Sequence, residues 1–355
     1  MTDTSTTPIR VIVAGLGNMG LSHAKALEAL PGCEIVALVN RSKVKLPESL
    51  AHHTILPDFK AAIAELKPDL CVIATYSDSH ADFAIHAMEN GAHVFVEKPL
   101  ATTAEDARRV VECATRLNRK LVVGYILRHH PSWIKLIEEA RNLGGPFVFR
   151  MNLNQQSSGQ TWSTHKQLMN TTPPIVDCGV HYVDVMCQIT DARAVEVRGM
   201  GLRMSNEIAE DMYNYGHFQV LFDDGSVGWY EAGWGPMMSE TAFFVKDVIS
   251  PAGCVSIVVP EGIKSDDIDT HTKTSLIRIH KSTMDANGAF TKEDQNLSME
   301  DEPGHDELCY REQQFVLNAI SQDVDLERHM RDAVASLEIC LAADHSVRSG
   351  QPVKL

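Results

Sequence analysis

Unbroken apolar runs, each closed by polar or glycine positions and followed by a stretch of helical period, fill the first third of the chain. Residues 11–14, 33–39, 70–75, 93–96 and 121–125 are such runs. About 4–8 apolar residues without alternation suit a strand buried on both faces, as in a parallel sheet. The segments between them predict helices: 19–30, stopped by Pro31 and Gly32; 58–66; one opening at His80 and ending before Gly91; and one running to Asn118, where Thr102 and Glu105 have capping-box spacing. Strands alternating with helices at this interval predict a doubly wound parallel sheet, an α/β architecture.

Past Tyr125 the pattern changes. An amphipathic helix over 131–143 and a strand over 147–153 precede a polar loop over 154–172 and a helix over 175–189. Longer strand-like segments then follow at 194–204, 213–222, 226–234, 241–249, 255–259 and 275–280, with Asp223, Asp224 and Gly225 placed as a hairpin turn. These predict an α+β second domain, built on a large, mostly antiparallel open sheet with helices on one face. Residues 261–305 are acidic and poor in apolar positions outside 275–280, which reads as loop-rich surface. Helices return over 305–320 and 330–348, with Gly350 and Pro352 as stops. The expected domains are therefore 1–125 and 126–355, the C-terminal helices being free to pack back on the first.

Composition narrows the partners. A length of 355 residues suits two domains, and 44% hydrophobic with 22% charged residues is ordinary for a globular protein. The net charge of −15 repels phosphate, which argues against nucleic-acid and anionic-membrane partners. Residues 1–8 lack the basic start and apolar core of a signal peptide, and no apolar run approaches the roughly 18–20 residues of a membrane span. The eight cysteines are scattered with no C-x-x-C pair, as expected of buried thiols in a reducing cytoplasm, and no metal site is expected.

The first apolar run ends in Gly15, Gly17 and Gly20, spaced as G-x-G-x-x-G, with Asn18 and Met19 opening the helix behind it. Between a strand and a helix these glycines allow a tight turn, close approach to a pyrophosphate and helix–strand packing, and the helix N-terminus offers free N–H groups. The acidic residue that grips the ribose hydroxyls of NAD is expected about 20 residues on, at the second strand tip. Asn40, Arg41, Ser42 and Lys43 stand there instead. A guanidinium, a hydroxyl and an amide suit a 2′-phosphate, so NADP is favoured over NAD. In a sheet wound this way ligands lie beyond the carboxyl ends of the strands. Thr75, Ser77 and His80 at one tip, and Glu97 and Lys98 before Pro99 at the next, should therefore border the cofactor, His80 more as a structural than a catalytic group.

Asp177 and His181 are four apart, so on a helix they share one face. A carboxylate accepting from one imidazole nitrogen leaves the other free to exchange a proton with a hydroxyl. A helix N-terminal carboxylate beside a satisfied core histidine has the same spacing, and a metal site from Asp177, His181 and Asp184 is not specified by it.

Taken in order, the glycine loop, Glu97-Lys98-Pro99, the stretch with Gly124, Tyr125, Arg128 and Pro131, and the run with Asp177, Gly179, His181 and Asp184 resemble the glucose-fructose oxidoreductase / inositol dehydrogenase / MocA (Gfo/Idh/MocA) family. The stretch with Ser346, Gly350, Pro352, Val353 and Leu355 is similar too, so the resemblance covers nearly the whole chain. It implies an N-terminal Rossmann domain and a C-terminal open sheet whose other face makes a homodimer or homotetramer contact. It also implies that Lys98, Asp177 and His181 are the catalytic lysine, aspartate and histidine, acting on a sugar, inositol or related polyol held between the domains against the nicotinamide. A cofactor-binding sensor without turnover and an NAD-dependent glycosidase are the competing readings within that superfamily. Retention of Lys98, Asp177 and His181 counts against the sensor.

Overall fold

The computed structural model describes residues 7–239, 245–258 and 274–355. The chain divides into two compact units, residues 1–126 with 304–334 and residues 127–303 with 335–355. The first unit alternates as the apolar runs predict. Its elements are β1 (Ile9–Ala14), α1 (Asn18–Ala29), β2 (Cys33–Val39), β3 (Ile55–Leu56), α2 (Phe59–Leu66), β4 (Leu70–Ile73), α3 (His80–Glu89), β5 (His93–Val96), α4 (Ala104–Leu117) and β6 (Leu121–Val123). All six strands are parallel, in the order β3-β2-β1-β4-β5-β6. The order reverses at β1, so the β1 and β4 tips flank the crevice where such sheets bind ligands.

Each β4 residue is fully buried, which explains why this strand shows no alternation. The cap of α4 lies one residue beyond the predicted box: Thr103, not Thr102, accepts the Asp106 N–H, at 3.1 Å, so the side chain in register with the first free N–H groups sets the start.

In the second unit α5 (Pro131–Leu143) and β7 (Val148–Gln156) are followed by α6 (Gly159–Leu168), α7 (Pro174–Asp177) and α8 (Gly179–Ile189). The expected 154–172 loop is thus largely strand and helix. The expected 175–189 helix is interrupted at Cys178, although the Cys178 backbone stays helical. Strands β8 (Ala194–Leu202), β9 (Tyr215–Phe222), β10 (Val227–Gly235), β11 (Lys246–Ser250), β12 (Gly253–Val258), β13 (Leu276–Lys281) and β14 (Gln295–Ser298) come next. The predicted 241–249 strand lies outside the described residues over 241–244, as do 259 and the 261–273 part of the acidic segment. Within the rest of that segment β14 corrects the loop expectation: its Gln295–Ser298 are nearly all exposed, so no apolar run announces them, and pairing with β13 fixes them.

Helices α9 (His305–Ser321) and α10 (Glu327–Ser349) lead to β15 (Val353–Lys354), and the division between the units falls within α10. In the first unit α9 packs against α1, adding Val316, Leu317 and Ala319 to the core beside β1 and β2. The nine strands run β14-β13-β12-β11-β7-β10-β9-β8-β15. All neighbours are antiparallel except β7 and β10. The Asp223-Asp224-Gly225 turn joins β9 to β10 as a hairpin, closed by Phe222 N–H to Ser226 O at 2.9 Å.

Candidate active site

In the first unit Gly15 follows β1 with φ +87°, and a Cβ there would stand 2.4 Å from Ala74 O, so only glycine fits between the two strand tips. A Cβ on Gly20 would stand 1.7 Å from Gly15 O, which is how α1 lies so close to the loop. Gly17 is the N-cap of α1 and has open space where a side chain would go. No side chain caps α1, Gly17 and Asn18 are exposed, and Met19 is half-buried. This cradle fits a dinucleotide: the N–H groups of the first α1 turn have no side-chain cap, and among the described residues nothing lies within 4 Å of a Cβ placed on Gly17.

At the β2 tip Asn40 is spent within the chain. Its Oδ1 accepts the Leu16 N–H at 2.9 Å and its Nδ2 donates to Ser42 O at 2.7 Å. Arg41 and Ser42 are exposed beside it. At the β4 tip the Thr75 and Ser79 hydroxyls are 2.7 Å apart, and Ser77 opens a 3-10 turn, half-buried. His80 is fully buried, with Nδ1 2.8 Å from Pro99 O and Nε2 3.1 Å from Thr75 O, and burial lowers its pKa. Its imidazole therefore links the β4 tip to the segment after Lys98.

The Lys98–Pro99 peptide is cis and Lys98 is half-buried. Buried Glu97 meets His23 Nε2 through Oε1 at 2.7 Å and accepts the Lys98 N–H on Oε2 at 3.1 Å. Gly124 leaves room for that carboxylate, since a Cβ there would stand 3.2 Å from Glu97 Cδ.

In the second unit Asp177 closes α7, buried, and His181 lies on the first turn of α8, half-buried. The His181 N–H donates to Cys178 O at 3.2 Å, which carries the helical turn across the break. Asp184, on the next turn, is fully buried and accepts from Arg128 Nε at 2.9 Å and Nη2 at 2.5 Å, and from Gln188 Nε2 at 3.0 Å. A bidentate guanidinium pair of this kind makes Asp184 an anchor for α8 rather than a ligand. Among the described residues, Asp177, His181 and Asp184 form no group with metal-ligand spacing.

Polar groups that no motif marks gather near Asp177. Cys178 Sγ lies 4.0 Å from both Gln155 Oε1 and Asp177 Oδ2, and Trp234 Nε1 donates to Gln155 Oε1 at 2.8 Å. His165 stacks on Trp234 with ring centres 4.3 Å apart, whereas Trp162 and Lys166 both bond Glu207. Gln155 and Trp234 sit opposite each other in the β7–β10 register, a pairing that only the sheet reveals.

Residues 9–125 match the profile described as oxidoreductase family, NAD-binding Rossmann fold, and residues 134–244 match that of the GFO/IDH/MocA C-terminal domain. The chain is 24% identical to scyllo-inositol 2-dehydrogenase (NAD(+)) of Bacillus subtilis, over 98% of this chain and 96% of that protein. Its fold is similar to that of scyllo-inositol dehydrogenase from Lactobacillus casei, solved with bound NAD(H) and scyllo-inositol (TM-score 0.76, 17% identity, 98% and 99% of the chains covered). The aldose-aldose oxidoreductase of Caulobacter crescentus is similar too (TM-score 0.75, 18% identity, 99% and 100% covered).

Proposed function

This chain belongs to the Gfo/Idh/MocA family of oxidoreductases, and from that premise we propose that it uses NADP in preference to NAD on a sugar or inositol, with Lys98, Asp177 and His181 as its catalytic groups. Its activity is that of an NAD(P)-dependent oxidoreductase acting on a CH–OH carbon of a polyol or sugar. The observation that carries this is the extent of the similarity to an inositol dehydrogenase. At 98% of the chain it includes both the glycine cradle and the Asp177–His181 segment.

The α1 N-terminus with Gly15, Gly17, Asn18 and Met19 would hold the pyrophosphate, and exposed Arg41 and Ser42 the 2′-phosphate. When bound, the nicotinamide supplies or accepts the hydride. His181 takes the hydroxyl proton as the carbon is oxidised and returns it in reduction, while Asp177 orients the imidazole. Lys98 donates a hydrogen bond to the same oxygen and stabilises the charge that develops there. Thr75, Ser77 and Glu97 border the cofactor, and His80 ties the Thr75 tip to the segment after Lys98.

The second unit also exposes Val148, Leu221 and Val227 around a groove of about 890 Å³ on its sheet. Apolar residues on an open sheet face support a homodimer or homotetramer contact there. The deciding experiment is a screen of inositols, aldoses and their keto forms with both nucleotides, reading nicotinamide absorbance. Turnover with a polyol or sugar is the expected result. Nucleotide binding without turnover of any of them would overturn the reading.

A further inference from the structure

Within the first unit, three ligating side chains from separate elements meet in the interior. One atom each from His23 on α1, Glu97 after β5 and Glu312 on α9 lies within 4.8 Å of the other two, and all three residues are buried. Both Glu312 oxygens and Gln313 Oε1 are buried, with no hydrogen-bond partner among the described residues. Gln313 instead turns Nε2 to His23 Nδ1 at 3.0 Å. A buried carboxylate without a donor is costly, and burial with the nearby Glu97 charge pushes the Glu312 carboxyl well above its ordinary range. This interior is short of positive charge.

We propose that His23, Glu97 and Glu312 form a binding site for a divalent first-row metal ion such as Zn²⁺ or Mn²⁺. Two carboxylates and a neutral imidazole around a doubly charged cation sum to zero, and this mixed nitrogen and oxygen set suits those ions. Bonds of about 2.0–2.2 Å to a tetrahedral centre hold ligand atoms roughly 3.3 Å apart. The three atoms already lie within reach of that spacing, the His23–Glu97 contact opening slightly as the ion replaces the proton between them. With Nε2 on the metal, His23 Nδ1 carries the proton. A turned Gln313 amide, which occupies the same space, then presents its oxygen to that proton. One ion thus takes up a buried Glu312 oxygen and, through His23, gives the Gln313 oxygen a donor. It ties α1, the segment before Lys98 and α9 together, a structural role beneath the cradle.

The test uses the full chain carrying His52→Ala and His53→Ala. These remove an exposed cluster in which both imidazoles face Glu28, at 3.3 and 2.8 Å, so that no second group with ligand spacing competes for the added ion among the described residues. Chelator-stripped protein is titrated with ZnCl₂ and separately with MnCl₂, followed by calorimetry, thermal melting and elemental analysis after gel filtration. About one ion retained per chain and a melting point raised by several degrees are expected. Glu312→Gln keeps the shape and removes the charge, and should bind at least tenfold more weakly with its circular dichroism unchanged. No retention and no melting shift with either metal would overturn the proposal and leave Glu312 a neutral acid. Undiminished retention in Glu312→Gln would overturn it as well. Should that variant not fold, His23→Gln is read the same way, and the titration of the intact ligand set decides alone.

Discussion

Asn40 Oδ1 accepts the Leu16 N–H at 2.9 Å, so the tip of β2 is tied to the glycine loop by an uncharged amide. The amide leaves no negative charge where a 2′-phosphate would sit, and Arg41 next to it is exposed. NADPH should therefore bind more tightly than NADH. Arg41→Ala should weaken NADPH about tenfold and NADH by less than about twofold, as expected for loss of one charge-assisted contact. Asn40→Asp keeps an acceptor for Leu16 but adds a charge, and should reverse the order. Fluorescence titration checks all three, and tighter NADH binding by the unsubstituted protein would reject the reading.

Lys98→Met and His181→Ala should each lower kcat by at least about 10²-fold, the lower end of what a positioned proton-transfer group contributes. Nucleotide Kd should move by less than about twofold, since neither residue belongs to the cradle. Steady-state kinetics alongside binding measures the split. Binding lost in parallel with turnover would contradict the assigned roles.

The Arg128–Asp184 pair should matter for stability. Asp184 is fully buried and both its oxygens are taken, so Asp184→Asn or Arg128→Met leaves a charge unmatched in the interior. Each should cost about 3–5 kcal/mol, and the double variant less than the sum of the two. Urea unfolding gives the three values. Additive losses would show that the pair does not act as a unit.

The alternation of strand and helix in the first unit was open to a reader of the chain because its strands, apart from the two-residue β3, are largely buried and appear as unbroken apolar runs, β4 being the clearest. Capping chemistry was legible only to within one residue, since Thr102 and Thr103 are adjacent and both can cap. Helix α6 was hidden: Gly159–Leu168 buries only Trp162 and His165, so it has no apolar stripe to announce it. The Lys98 segment and the Asp177–His181 segment stood out because their residues are neighbours in sequence. Gln155 with Trp234, and His23 with Glu97 and Glu312, become neighbours only through sheet register and helix packing, and no spacing rule reaches that far.

Lys246 supplies a prediction with a defined pH window. Its ammonium lies 5.8 Å from the ring centres of both Trp133 and Tyr182. It is completely buried, and burial lowers its pKa from 10.5 to about 7. Between those values the unfolded chain holds a proton that the folded chain has released, so stability rises with pH across that interval. Below about 7 both states are protonated and the full cost of burying the charge is present; above 10.5 both are neutral and the cost is gone. Lys246→Met removes the titrating group while keeping much of the volume. It should therefore be more stable than the unsubstituted chain by a margin that is largest and flat in acid, shrinks from about pH 7 upward, and vanishes near pH 10.5. Thermal melts of both proteins across this range measure that margin, and a difference independent of pH would mean that Lys246 stays protonated in the folded state.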